Sequence, residues 1–281
     1  MMELIRRIIS NNINYKSPKN NGWSLADMHT HPDYWSSKEM NGYGEGFHNI
    51  KEMLESNNMD AIAITPHFRM QNVKKVQEYA DQQSKLVIHG TELGIKDHTL
   101  IYAFGINQYN ADHYQKVINH LFTDKQSLDE LIKTQNKFNQ GTGSVYVIVA
   151  PAHFMDNKGV GPKEVIKLKN KLTAIESTNS DCFNTVGLDD FAKRMNAAPI
   201  GGSDAHRKEF IGTGGTILYS KNIENQMDVY ECIINKKTST YHTNNDLTKL
   251  QKYVNQVSHR YTLYYLMKFV PWLLNKNLIS N

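Results

Sequence analysis

The sequence predicts an α/β fold whose strands close into a TIM-like barrel. Three observations predict it. Short apolar runs alternate with helical stretches roughly seven times, the pattern of a parallel sheet with crossover helices. The 281 residues, 40% of them hydrophobic, suffice for one sizeable core. The residues with chemistry to offer (His29, His31, His67, Glu92, His153, Asp204 and His206) fall at or just past strand ends, while His98 opens a strand. A barrel gathers such ends around one mouth. An open sheet would spread them along a line.

Taken in order, Leu4, Ile5, Ile8 and Ile9 have the spacing of a short amphipathic helix over 1–13. Residues 11–21 are a polar connector. Ser24 to His31 reads as a strand ending in His-x-His, which sets two imidazoles on one face as a single metal ion requires. A polar, aromatic loop follows over 32–46, then a helix over 47–57 with Ile50, Met53 and Leu54 on one side. Asp60 to Thr65 is a buried strand that ends on Pro66-His67. Residues 70–84 are helical. Leu86 to Gly90 is a third strand, leading to Thr91-Glu92, and His98 opens a fourth over 99–104. A helical stretch over 111–138 breaks near Thr123-Asp124. Val145 to Ala150 is a fifth strand, closed by Pro151-Ala152-His153. Leu172 to Glu176 is a sixth, ending in Ser177-Thr178-Asn179. Residues 189–196 are helical. The seventh strand, Ala197 to Ile200, runs into Gly201-Gly202-Ser203-Asp204-Ala205-His206, where the glycines would let backbone approach a bound ion or substrate. This divides the chain into an N-terminal helix and connector (1–24), a barrel (25–245) and an aromatic helical tail (246–281).

Composition narrows the function. A net charge of +4 and a pI near 8.8 permit an anionic substrate without demanding nucleic acid. Cys182 and Cys232 are the two cysteines, too few for a disulfide framework or a Cys-x-x-Cys metal site, which suits a reducing cytoplasm. No signal peptide and no transmembrane span are expected. Six imidazoles and two carboxylates at one mouth exceed what a single ion takes, so two or three divalent ions are expected: Zn, Mn or Fe. Clustered ions grip a phosphoryl group, acidify a water between them and stabilise a leaving oxygen. Hydrolysis of a phosphate ester needs all three.

With these residues in view, the chain resembles the PHP family, named for the polymerase and histidinol phosphatase domains. The resemblance rests on Asp27-Met28-His29-Thr30-His31, Ala63-Ile64-Thr65-Pro66-His67, Gly90-Thr91-Glu92, His98-Thr99-Leu100, Pro151-Ala152-His153 and Gly202-Ser203-Asp204-Ala205-His206. Ile175 to Asn179 and Ile211 to Thr216 also follow the family's order. The resemblance covers roughly residues 25–240 and implies a distorted seven-stranded (β/α) barrel. It further implies a first metal position at His29, His31, Glu92 and Asp204. A second is shared through Glu92 and completed by His98 and His153. A third has His67 and His206 with one ligand from the loop after His31. There this chain departs from the family, since Glu45-Gly46 and His48 both fall near the place, with His48 preferred. Thr65-Pro66-His67 also departs from the commoner Thr-Asp-His, and proline there is seen in a branch of bacterial phosphotyrosine phosphatases.

The implied activity is a phosphoesterase acting on a phosphomonoester or a small phosphodiester, a nucleotide among them, through metal-activated hydroxide. His29, His31, Glu92, Asp204 and His206 would carry catalysis. A protein phosphotyrosine phosphatase is the alternative within that chemistry, and a non-catalytic PHP scaffold the alternative outside it. Arg69 and Arg207 are candidate phosphate ligands, and Asn179 a candidate for phosphate or ribose. His89 reads as a core histidine. The expected partner is a small phosphorylated substrate, with no stable nucleic-acid partner. The tail, rich in Tyr and Leu, would dock on the barrel, pair two copies or rest on a membrane surface.

Overall fold

Nine strands and six helices order the described part of the chain. The computed structural model describes residues 22–32, 51, 53–55, 59–94, 98–141, 143–153, 159–180, 188–206 and 210–242. The expected N-terminal helix, most of the 47–57 helix and the aromatic tail lie outside these residues, as do Glu45, His48, Cys182 and Arg207. All described residues fall within one unit, Lys16–Thr243.

The strands are β1 (Ser24–Asp27), β2 (Ala61–Ile64), β3 (Leu86–Leu93), β4 (Thr99–Phe104), β5 (Tyr146–Pro151), β6 (Ala174–Asn179), β7 (Ala198–Gly202), β8 (Gly214–Leu218) and β9 (Thr238–His242). The helices are α1 (Val73–Gln82), α2 (Ala111–Leu121), α3 (Leu128–Gly141), α4 (Pro162–Lys167), α5 (Asp189–Arg194) and α6 (Gln226–Ile234). A curled seven-stranded sheet runs β5-β4-β3-β2-β1-β8-β9, and β6-β7 forms a second, two-stranded sheet. The chain leaving β1 lies against β7 and its continuation. Met28 N–H donates to the Gly201 carbonyl (3.2 Å), Asp204 N–H to that of His29 (2.8 Å) and His31 N–H to that of Ala205 (2.9 Å). Two sheets joined in this way make a distorted TIM-like α/β barrel.

The repeat of strand then helix, all parallel, does not hold throughout. β3 and β4 are an antiparallel hairpin, β4 and β5 are antiparallel, and β8 is antiparallel to both β1 and β9. The physical reason is connection length. Too few residues separate β3 from β4 to hold a crossover helix, so the chain must turn back. The reversal explains why His98 opens a strand. The start of β4 lies at the same end of the barrel as the finish of β3, where Leu93 faces Thr99. The unit β8–α6–β9, and α4, have no counterpart in the expected elements.

Alternation along the strands sorts the core. Leu100, Tyr102 and Phe104 point to one cluster with Ala26, Ala61, Ala63, Ile88, Ile148, Ala150, Ala174, Ala198 and Ile200. Ile101 and Ala103 point the other way, to Val147, Val149 and residues of α2 and α3. Small alanines on most strands leave room for Tyr102, whose hydroxyl donates to the Met28 carbonyl at 2.7 Å.

Gly202 has a specific steric reason. A Cβ there would collide with the His29 side chain and come within 2.5 Å of its backbone nitrogen. The glycine thus clears space for the backbone of the His-x-His segment, and not for an ion or substrate as the sequence suggests.

Candidate metal centre

Each putting-forward of a candidate side chain traces to a strand end. β1 delivers His29 and His31, the end of β2 His67, β3 Glu92, the start of β4 His98, β5 His153, and β7 Asp204 and His206. Three strained turns help. Asp204 (φ 52°), His153 (φ 50°) and Phe68 (φ 67°) hold left-handed backbone, which costs non-glycine residues energy and gathers at functional sites.

Glu92 is the hub. Its Oε1 lies 2.6 Å from His98 Nδ1, 3.3 Å from His153 Nε2 and 3.5 Å from His29 Nε2. Its Oε2 lies 3.3 Å from His31 Nε2 and 3.4 Å from His67 Nε2. Asp204 forms the second pole, with Oδ1 3.0 Å from His31 Nε2 and Oδ2 3.3 Å from His153 Nε2. Four overlapping groups result in which three ligand atoms lie within 4.8 Å of one another: His29, His31 and Glu92; His29, His153 and Asp204; Glu92, His98 and His153; and His31, His67 and His206.

The charges are mutually dependent. Burial pushes the Glu92 and Asp204 carboxyls up, but the imidazoles, His29 foremost, outweigh it and hold both well below the usual carboxylate range. Burial likewise pulls His29 down, yet Glu176, Asp204 and Glu92 hold it well above the usual imidazole range. For His31 burial wins, and the imidazole falls to about 4.

The donor set suits divalent ions, and the proton count shows why. Glu176 Oε1 sits 2.6 Å from His29 Nδ1, which directs the Nδ1 proton to it, so an ion that displaced the second proton would find its lone pair on Nε2. That Nε2 faces His31 Nε2 at only 2.8 Å. His206 Nδ1 donates to the Asp204 carbonyl at 2.9 Å, which puts its lone pair on Nε2. Imidazole lone pairs and carboxylates converging in a buried space are the nitrogen and oxygen donors that Zn, Mn or Fe take.

Sequence reasoning left two contributors out of the site. Glu176 also accepts the His153 N–H at 3.0 Å through Oε2. Asp27, fully buried, accepts N–H groups from Ser203 (2.9 Å) and Gly212 (2.8 Å), and burial raises its carboxyl to about 6. Asn179, expected to meet substrate, lies buried beneath the ligands. Its amide nitrogen is 3.2 Å from Glu176 Oε1, 3.3 Å from Asp204 Oδ2 and 3.3 Å from His153 Nε2. Residues three apart on a regular strand point to opposite faces. Here the register shifts between Glu176 and Thr178, and the bulge brings Glu176 and Asn179 together. Arg69 is exposed just past His67. His89 is buried, with Nε2 2.9 Å from Gln77 Oε1.

A PHP-associated model, PHP_C, matches residues 189–238. No curated protein matches the chain in sequence. Among solved structures, PsfC from Pseudomonas syringae PB-5123 aligns with a TM-score of 0.52 and 17% identity, over 83% of this chain and 98% of its own. A two-domain protein from Bacteroides vulgatus ATCC 8482, containing a predicted PHP-like metal-dependent phosphoesterase, aligns with a TM-score of 0.52 and 16% identity, over 81% of this chain and 67% of its own. Endonuclease Q, solved with a 27-mer duplex carrying an abasic lesion at the active site, aligns with a TM-score of 0.50 and 12% identity, over 75% of this chain and 56% of its own. At these identities the likeness is one of fold. The segment matched by the PHP-associated model runs over α5, β7, β8 and α6, so family model and fold both make the chain similar to PHP-like proteins.

Proposed function

We propose that this chain is a metal-dependent phosphoesterase, cleaving a phosphomonoester or small phosphodiester, with nucleotides among the candidates. The observation that carries the reading is the set of four overlapping ligand groups built around Glu92 and Asp204. His29, His31, Glu92 and Asp204 would hold one ion. Glu92, His98 and His153 would hold a second, and His67 and His206, with His31, a third. The sequence-level candidate for a further ligand is His48. Ions of the Zn, Mn or Fe kind would supply positive charge for phosphoryl oxygens and acidify a water beside them.

The chain's own groups prepare that chemistry. Glu176 and the Asp204 carbonyl fix the tautomers of His29 and His206. Asn179 ties Glu176 to Asp204 from below. His29 and His31 are fully buried, which strengthens every charge interaction around them. His206, at 37% exposure, and His67, at 15%, mark the side from which substrate reaches the cluster. Arg69, exposed and two residues past His67, and Arg207 are our candidates for the phosphate.

Two to three ions per chain by elemental analysis, with aryl phosphate hydrolysis that stops in chelator, are the expected results. Asp204→Ala should cut turnover by more than about 100-fold, beyond the loss typical of a residue behind the ligands. Unchanged turnover in a folded Asp204→Ala protein, or no ion taken up from Zn, Mn or Fe, would overturn the reading. A non-catalytic scaffold predicts missing ligand residues, whereas eight are present and convergent here. Polynucleotides belong in the substrate screen beside nucleotides and phosphotyrosine, because endonuclease Q, of similar fold, is solved with duplex DNA at its active site. The expected lack of a nucleic-acid partner therefore gains no support from the fold. Among the described residues no helix is long and apolar enough to cross a membrane.

A further inference from the structure

Phe68 follows the candidate ligand His67 and is 45% exposed, while Met70 and Val73 further along the same turn are buried. The chain thus buries two apolar residues here and displays the largest. The display is held rigidly. Phe68 keeps left-handed backbone at φ 67°, a costly conformation for a bulky residue. Its N–H donates to the Glu92 carbonyl at 2.7 Å, and Arg69 N–H donates to the His67 carbonyl at 2.9 Å. Beyond the ring, Asn119 of α2 clamps both backbone groups of Met70, at 2.9 and 3.0 Å, and Gln115 accepts the Val73 N–H at 3.0 Å. Strain fixed at both ends beside a reactive centre is the pattern of a preorganised contact.

Its location fits the route to the ions. The ring centre lies 6.0 Å from that of His67. His67 and His206 are the more exposed members of the cluster, so a phosphoryl group entering on their side carries the rest of its substrate past Phe68. Aromatic faces stack on planar rings and gain more there than from burial of the same area of a saturated group. We propose that Phe68 is a specificity-determining platform that stacks on a planar aromatic ring in the esterified group of the substrate. This rests on the phosphoesterase reading above.

The test is calorimetric binding to the metal-loaded protein under conditions too cold and brief for turnover, followed by kcat/KM. Two matched pairs separate the sources of the ring: AMP against ribose 5-phosphate for a nucleobase, and phosphotyrosine against phosphoserine for a phenol. Inorganic phosphate is the reference. We expect the aromatic member of at least one pair to bind about tenfold tighter than its partner. Phe68→Ala should remove that preference and leave inorganic phosphate unchanged. Phe68→Leu should behave like Phe68→Ala, whereas Phe68→Tyr should restore stacking. Phosphate binding with no aromatic preference in either pair would overturn the platform and leave the phosphoesterase reading standing. Loss of preference in Phe68→Ala but full retention in Phe68→Leu would also overturn it, since plain apolar bulk would then suffice. Failure of the loaded protein to bind phosphate at all would overturn both.

Discussion

Glu176 takes the Nδ1 proton of His29 and the backbone proton of His153, so one carboxylate orients two ligands. Glu176→Gln should keep the fold but lower metal affinity by about 10- to 100-fold, the usual cost of losing such a partner. Competition with a coloured chelator measures it, and unchanged affinity would show that His29 is oriented without it. His89 tests a different property. Burial takes its imidazole down to about 3, while an unfolded chain keeps it near 6.5. Between those values the unfolded chain binds the extra proton, so the contribution is full above about pH 6.5 and is lost as pH falls toward 3. The full difference amounts to roughly 4–5 kcal/mol. In chelator, urea midpoints from about pH 7 to pH 4 should fall less steeply for His89→Gln than for the parent chain. Equal slopes would mean that His89 is solvated in the fold. At this scale the sequence was highly legible for the residues that converge on Glu92 and Asp204, because a histidine or carboxylate at the end of an apolar run stands out. Glu176 and Asn179 were quoted for their order but not joined to each other. Their partnership depends on a bulge, which leaves no mark in an alternation of residue types.

Among the elements, the approach of β7 to the chain leaving β1 is the tightest joint. Gly202→Ala would place a methyl group on the His29 side chain and backbone. Overpacking against backbone has no flexible outlet, so a loss of about 3 kcal/mol or more is expected. Denaturant titration checks it, and a midpoint within error of the parent would show that the joint can open. The same substitution should disturb metal uptake, because it moves His29 directly. Boundaries of β2, β5 and α1 were readable to within a few residues from periodicity and flanking turns. The break between α2 and α3 at Thr123-Asp124 was readable as well. Strand direction was not. Apolar runs look alike whichever way they point, and only the short link before His98 hinted that β4 turns back. β8 and β9 escaped notice because Gly214–Leu218 and Thr238–His242 are short and mix glycine or polar residues with few apolar ones.

For the molecule as a whole, ion binding would be coupled to folding, since the candidate ligands from six strands meet only when the barrel is closed. Any ion that binds the folded chain alone stabilises it by mass action. At about 100 times its Kd that is about 2.7 kcal/mol, or a rise in Tm of roughly 5–10 °C for a domain of this size. Thermal melts with and without chelator should differ by at least that much. Coincident melts would mean that the cluster is held open or already balanced without ions. The barrel was legible because polar residues from many strands needed a common mouth. Its closure by a separate two-stranded sheet was not, since contacts between distant segments leave no local pattern. Asp27 and Gly212, joined by a hydrogen bond, stand 185 residues apart. A ribosome adding about 5–20 residues per second delivers the second roughly ten to forty seconds after the first. Until β8 emerges, β1 is the open edge of a growing sheet, with two imidazoles beside it and nothing to screen them. That edge therefore stays unpaired until β8 has been made, and the cluster, which spans His29 to His206, is incomplete for most of translation.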